Sequence, residues 1–84
     1  MSRDTNRERL LRFLDAIRRP GTPLAAIRED ENLIRAGLID SLAVLEIIVF
    51  LETEFKIEFS ATGLDPGRLT TVTTILDIID GQAR

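Results

Sequence analysis

Residues 37–55 read GLIDSLAVLEIIVFLETEF, and most of what the chain can be follows from this stretch. From residue 41 to residue 55 the apolar residues recur at three- and four-residue intervals, the period of an α-helix with one packed side. Val44, Ile47, Ile48, Leu51 and Phe55 make the inward stripe. The same period leaves Leu42, Leu45 and Val49 on a second stripe, with Glu46, Glu52 and Thr53 as neighbours. On so short a helix this apolar surplus either meets another element or stays exposed as a docking face. Asp40 or Ser41 suits the N-cap, where a side-chain oxygen accepts from an otherwise unpaired N–H.

Working outward, residues 20–40 form a connection longer than the usual helix–helix loop. It opens on the helix-stopping run Pro20-Gly21-Thr22-Pro23, and Leu24, Ile27, Leu33, Ile34, Leu38 and Ile39 can pin it to a core. Long loops that stay ordered tend to be functional. Before the loop, Thr5 and Glu8 have capping-box spacing, and Leu10, Phe13, Leu14 and Ile17 share one helical face, which predicts a helix over 5–19. Arg7, Arg9, Arg12, Arg18 and Arg19 largely decorate its other faces, the last two near the negative end of the helix dipole.

After the quoted stretch, Lys56-Ile57-Glu58-Phe59 alternates like a strand but is short and has no partner, so it reads as an extended loop that tucks in Ile57 and Phe59. Asp65-Pro66 resembles a cap followed by proline at the first helical position, opening a short helix over 65–69. Thr71 is the expected N-cap of a last helix over 71–80, with Val72, Ile75, Leu76 and Ile79 inward and Gly81 as its stop. The chain therefore reads as all-α: three main helices, one short helix and a long first loop.

Composition bounds the function. The 84 residues suit a single domain, and 44% are apolar, enough for a globular core. Histidine and cysteine are both absent, which excludes a disulfide framework, a cysteine-held metal, a thiol nucleophile and a Ser-His-Asp triad. The net charge of -3 hides an asymmetry: residues 1–19 carry six Arg against three acids, the remainder five basic residues against eleven acids. The basic cluster lacks the stacking aromatics of a nucleic-acid site, so no nucleic-acid partner is expected. No apolar run reaches the length of a membrane span and no signal-peptide pattern opens the chain. A cytoplasmic, monomeric binding or carrier protein, not an enzyme, is the expectation.

The string Gly37-Leu38-Ile39-Asp40-Ser41-Leu42, at a loop-to-helix junction, resembles the phosphopantetheine attachment signature of the acyl carrier protein superfamily. Leu33 stands where that family has a loop leucine. Glu46 and Leu51-Glu52-Thr53-Glu54-Phe55 resemble its acidic second helix and closing phenylalanine, and Leu69-Thr70-Thr71-Val72 resembles the start of its last helix. The likeness runs over roughly residues 5–80. It implies a four-helix carrier bundle over 1–84 with a 4′-phosphopantetheine arm from coenzyme A on Ser41, flanked by the motif residues Asp40 and Leu42. It also implies a partner face of Leu42, Leu45, Glu46, Val49 and Glu52. Ala43 departs from the acid usual in fatty-acid-synthesis carriers, and the Gly-Leu-Ile-Asp-Ser form is closer to peptidyl, D-alanyl and stand-alone specialised carriers.

Elementary chemistry agrees with that role. Serine alone is a weak nucleophile and no histidine is present to activate it, so base and metal must come from a phosphopantetheinyl transferase acting in trans. A phosphate at the start of a helix is favoured by roughly 0.3–1 kcal/mol at an exposed site. The arm's thiol would then carry cargo as a thioester between a loading ligase and acyl-transferring enzymes, in fatty-acid biosynthesis or wider lipid metabolism. Two other readings stay open: an aminoacyl or peptidyl carrier serving an adenylating ligase, and an unmodified helical adaptor. Bulky Ile48 and Phe50 argue against an acyl-sheltering cavity between the helices.

Overall fold

The computed structural model describes residues 3–58 and 66–82, and among these the chain is all-α with no strand. Three α-helices carry the fold: α1 (Arg3–Ile17), α2 (Ala43–Glu54) and α3 (Val72–Gln82). Two short 3-10 segments, Leu24–Ala26 and Pro66–Thr70, sit in the connections. The first was not foreseen in the long loop. The second lies where a short helix over 65–69 was expected, but it is a 3-10 segment with non-helical backbone at Leu69, while Asp65 and Phe59 lie outside the described residues.

The core follows the periodic stripes closely. Leu10 and Leu14 of α1, Ile47 and Leu51 of α2, and Val72, Ile75, Leu76 and Ile79 of α3 are buried together with Leu69 and Ile57. The helix–helix contact is densest between α1 and α3, whereas α2 is held mainly by the second 3-10 segment and by large side chains. One expectation needs correction. Val44, Ile48 and Phe55 are only partly buried, and Ala43 joins Ile47 and Leu51 on the innermost line of α2. The helix presents its smallest apolar residue to the same core cluster that holds Leu38 and Ile39 of the loop.

Helix boundaries differ from the periodic reading for local reasons. α1 is already helical at Arg3, so Thr5 lies inside it and the Thr5–Glu8 pair does not mark its start. Arg3 is fastened to Asp77 and Asp80 of α3, a tertiary anchor that a local capping rule does not register. The bond to Asp80, more than that to Asp77, raises the Arg3 pKa above its usual value, against the opposing effect of desolvation. α1 ends at Ile17, two residues early, and the Arg19 N–H donates instead to the Leu38 carbonyl at 2.7 Å. Gly81 falls inside α3 and does not stop it.

Three of the described positions have a left-handed backbone, two of them glycines. Gly21 has φ 96° in the turn after α1, and Gly37 has φ 81° just before the quoted junction. Glycine adopts both without the Cβ penalty. Lys56 has φ 56° directly after α2, where glycine is the common choice. Its conformation closes the helix: the Phe55 and Ile57 N–H groups both donate to the Leu51 carbonyl, at 3.0 and 3.4 Å, which turns Ile57 into the core.

The arginines of α1 do more than decorate its surface. Arg7 Nε lies 2.8 Å from Glu29 of the long loop, and Arg9 Nη2 lies 2.6 Å from Glu54 at the end of α2. The Arg9 guanidinium also stands 4.5 Å from the centre of the Phe55 ring. Together with Arg3, these residues tie α1 to each of the other parts of the fold. Exposed ion pairs are individually weak. Their value here is in fixing which element lies beside which.

Candidate functional site

The long loop is built to hold residues 38–42 in place. Leu33 and Leu38 are fully buried and Ile39 is 1% exposed. The Leu33 N–H donates to the Thr70 carbonyl at 2.7 Å, and the Leu33 carbonyl accepts from Leu38 and Ile39 at 3.0 and 3.4 Å. Asn32 Oδ1 accepts from the Ile34 and Arg35 N–H groups, both at 3.0 Å, and so shapes the turn that Gly37 completes. Farther back, the Glu29 carbonyl accepts from the Thr73 N–H and hydroxyl at 3.0 and 3.1 Å. A loop whose only regular element among the described residues is one 3-10 turn is thus clamped to α1 on one side and to α3 on the other.

From this anchor the chain emerges at Asp40 and Ser41, both exposed. The Ala43 N–H is taken up twice by Asp40, by its Oδ1 at 3.0 Å and by its carbonyl at 3.1 Å. Of the two candidate caps, Asp40 therefore does the capping. It also explains why α2 begins at Ala43 and not at residue 41, since residues 40–42 make a turn that leads into the helix. Among the described residues, none hydrogen-bonds the Ser41 hydroxyl. Ser41 is left as an exposed alcohol at the positive end of α2, immediately after a residue whose backbone and side chain are both committed.

The expected partner face is exposed as well. Leu42, Leu45 and Val49 keep 71%, 62% and 59% of their surface, an unusual degree of exposure for three large apolar residues on one small helix. Glu46 and Glu52 are exposed beside them. Leu45, Glu46 and Val49 line a groove of about 510 Å³ together with Phe13, Phe50, Thr53 and Glu54. Leu42 and Glu52 do not line it, so the five residues form a strip along α2 and only three share the groove.

Periodicity did not reveal the part played by Phe13 and Phe50. Their rings stack at 4.2 Å between centroids, 10° from parallel, and Phe55 meets Phe50 edge-on at 5.7 Å. Phe13 of α1 and Phe50 of α2 form the floor of the groove, and Phe55 packs behind Phe50 outside its lining. The nearest sequence signal was their concentration in two segments of an otherwise aromatic-poor chain. Ala43 gains a physical explanation too: it is 7% exposed, so a carboxylate there would be buried without a partner. A second groove of about 550 Å³ lies between α1, the first 3-10 segment and the start of α3, lined in part by Leu11, Arg18, Leu24 and Val72. None of the expected site residues borders it.

No helix among the described residues is long and apolar enough to cross a membrane. No family model matches the chain, and no curated protein or solved structure shows a significant match to it.

Proposed function

We propose that this chain is an acyl carrier protein whose Ser41 hydroxyl receives 4′-phosphopantetheine from coenzyme A, and that its helices form the four-helix carrier bundle. The observation that carries this reading is the junction itself. An exposed serine, bonded by no described residue, stands at the start of α2 between a capping aspartate and an outward leucine, on a loop anchored from both sides. The 3-10 segment Pro66–Thr70 ahead of α3 supports the bundle reading as a counterpart of its short helix. In the attachment step the Ser41 oxygen attacks the β-phosphorus of coenzyme A. A phosphodiester forms, the bond to adenosine 3′,5′-bisphosphate breaks, and the serine proton passes to a base of the transferase. The chain itself contributes an accessible hydroxyl, a favourable dipole and an apolar, acid-flanked surface beside it. Cargo is then held as a thioester on the arm's terminal sulfur.

Ala43 and the Gly-Leu-Ile-Asp-Ser form favour a second reading within the same chemistry, an aminoacyl or peptidyl carrier loaded by an adenylating ligase. The experiment for both is modification by a broad-specificity phosphopantetheinyl transferase with coenzyme A and magnesium, followed by intact mass. Addition of one phosphopantetheine to wild type and none to Ser41→Ala supports attachment. An unchanged mass with several transferases favours the adaptor reading.

A further inference from the structure

The groove between α1, the first 3-10 segment and the start of α3 takes no part in the junction or the strip along α2. Its volume of about 550 Å³ is that of a small-molecule site. The walls are aliphatic: Leu11 from α1, Pro23, Leu24, Ala25 and Ile27 from the loop, and Val72 from α3. Leu11, Leu24 and Ile27 pack against the core yet are only partly buried, and the groove takes up part of their remaining surface. Both sides of the groove are fixed by bonds within the chain. Arg18 Nη1 donates to the Thr22 carbonyl at 3.3 Å, and the Glu29 carbonyl accepts from the Thr73 N–H and hydroxyl.

Three charged residues reach the groove, and each already has a counter-charge. Arg18 Nε lies 2.8 Å from Asp15, and Glu29 lies 2.8 Å from Arg7 Nε. A carboxylate or ammonium placed inside would have to break one of these pairs or go without a partner. An uncharged aliphatic chain pays neither penalty. The Pro23 end of the groove also adjoins the serine junction. The Arg19 N–H holds the Leu38 carbonyl at 2.7 Å, and a Cβ on Gly37 would stand 3.9 Å from Thr22 Oγ1. Ser41 is four residues beyond Gly37, at most about 14 Å of chain, a distance of the order of the extended arm itself.

We propose that this groove shelters an uncharged aliphatic acyl chain carried on the arm at Ser41, with Leu11, Leu24, Ile27 and Val72 around it. The tether rests on the carrier reading; the affinity of the groove for the chain does not. The site separates the two carrier readings, because an aliphatic acyl group finds shelter there and the ammonium of an aminoacyl group does not. A short flexible tether gives its end a millimolar effective concentration, so a dissociation constant of about 1 mM is enough to fill the groove much of the time.

Methyl-resolved NMR of the unmodified chain titrated with octanoyl-pantetheine tests the groove. The resonances of Leu11, Leu24, Ile27 and Val72 should shift saturably, with a dissociation constant of about 1 mM or tighter. Acetyl-pantetheine, which lacks the chain, and 8-aminooctanoyl-pantetheine, whose far end is charged, should bind at least about tenfold more weakly. Ala25→Trp puts a ring into the groove from an exposed wall position and should weaken octanoyl binding about fivefold or more. Ala26→Trp, exposed in the same segment but outside the lining, should leave it within about twofold. Circular dichroism confirms that each variant is folded, and Ala25→Leu replaces Ala25→Trp if it is not. In the chain carrying octanoyl-phosphopantetheine on Ser41, the same four residues should shift relative to the chain carrying the arm alone. No saturable shift by about 5 mM probe, shifts confined to Leu45 and Val49, or equal losses from the two tryptophan variants overturn the groove assignment. Equal affinity for the 8-aminooctanoyl compound overturns the restriction to uncharged cargo. A groove that binds the free probe but ignores the tethered chain overturns the tether. An arm that no transferase attaches refutes the carrier reading instead, and the free-probe titration still decides the groove.

Discussion

Leu51→Ala and Leu45→Ala remove the same atoms from the same helix and should have very different effects. Leu51 is fully buried and packs within the core formed by all three helices, whereas Leu45 keeps 62% of its surface. Truncation deletes three carbon groups, worth about 0.8 kcal/mol each when fully buried, or about 2.4 kcal/mol before any cavity is counted. The residual cavity brings the expected loss at Leu51 to about 3–5 kcal/mol. At Leu45 only about a third of the side chain leaves water on folding and alanine is the better helix former, so about 1 kcal/mol or less is expected. A chain of this size has about 4–12 kcal/mol of stability in all, so Leu51→Ala removes a large share of it. Urea unfolding followed by circular dichroism reads both values, and the melting temperature should fall by about 12 °C or more for Leu51→Ala. Its backbone carbonyl still accepts from Phe55 and Ile57, so the loss reports side-chain packing. Equal losses at the two positions, or a larger one at Leu45, would refute the assignment of the outward stripe.

Other positions give sharp expectations. Lys56→Gly should stabilise the fold by roughly 0.5–1 kcal/mol, because glycine adopts the left-handed conformation at the end of α2 without a Cβ clash; a lower melting temperature would contradict that account. Asp40→Ala should cost about 0.5–2 kcal/mol through loss of the cap on Ala43, while Ser41→Ala stays within about 0.5 kcal/mol, and chemical denaturation that ranks them in reverse would reassign the cap. Glu46→Lys should slow modification by a transferase and make the rate less sensitive to salt, with the circular dichroism spectrum unchanged; an unaltered salt dependence would leave Glu46 as solvated surface. Val49→Asp should weaken the same reaction through KM while the protein remains folded, since Val49 is 59% exposed, and unfolding would place it in the core.

The core was legible in the sequence because burial imposes a period. Leu10, Leu14, Ile47, Leu51, Ile75, Leu76 and Ile79 all occupy positions that helical spacing selects, and the surplus Leu42, Leu45 and Val49 are exposed, one of the two alternatives that spacing left open. Anchoring of the long loop could also be read, since Leu33, Leu38 and Ile39 have no other use in a polar connection. Boundaries were less legible, because they depend on bonds between residues far apart in sequence. Arg3 with Asp77 and Asp80 supports the first turn of α1, and the Leu38 carbonyl draws the Arg19 N–H out of its last turn. The positive φ of Lys56 has no local signal, as nothing about lysine favours it; tertiary burial of Ile57 imposes it. At the candidate site, the exposed strip along α2 gave a signal in the surplus of its apolar spacing. The aromatic floor did not, because Phe13 and Phe50 are intermediate in burial and become a surface only when two helices are brought together.

The central claim is a covalent bond at one oxygen atom, and intact-protein mass spectrometry after incubation with coenzyme A, magnesium and a phosphopantetheinyl transferase tests it most directly. The account predicts the mass of one phosphopantetheine added to the wild-type chain, localised by fragmentation to Ser41 and absent from Ser41→Ala. An unmodified wild-type chain with several transferases, or an arm found on another hydroxyl, would contradict it.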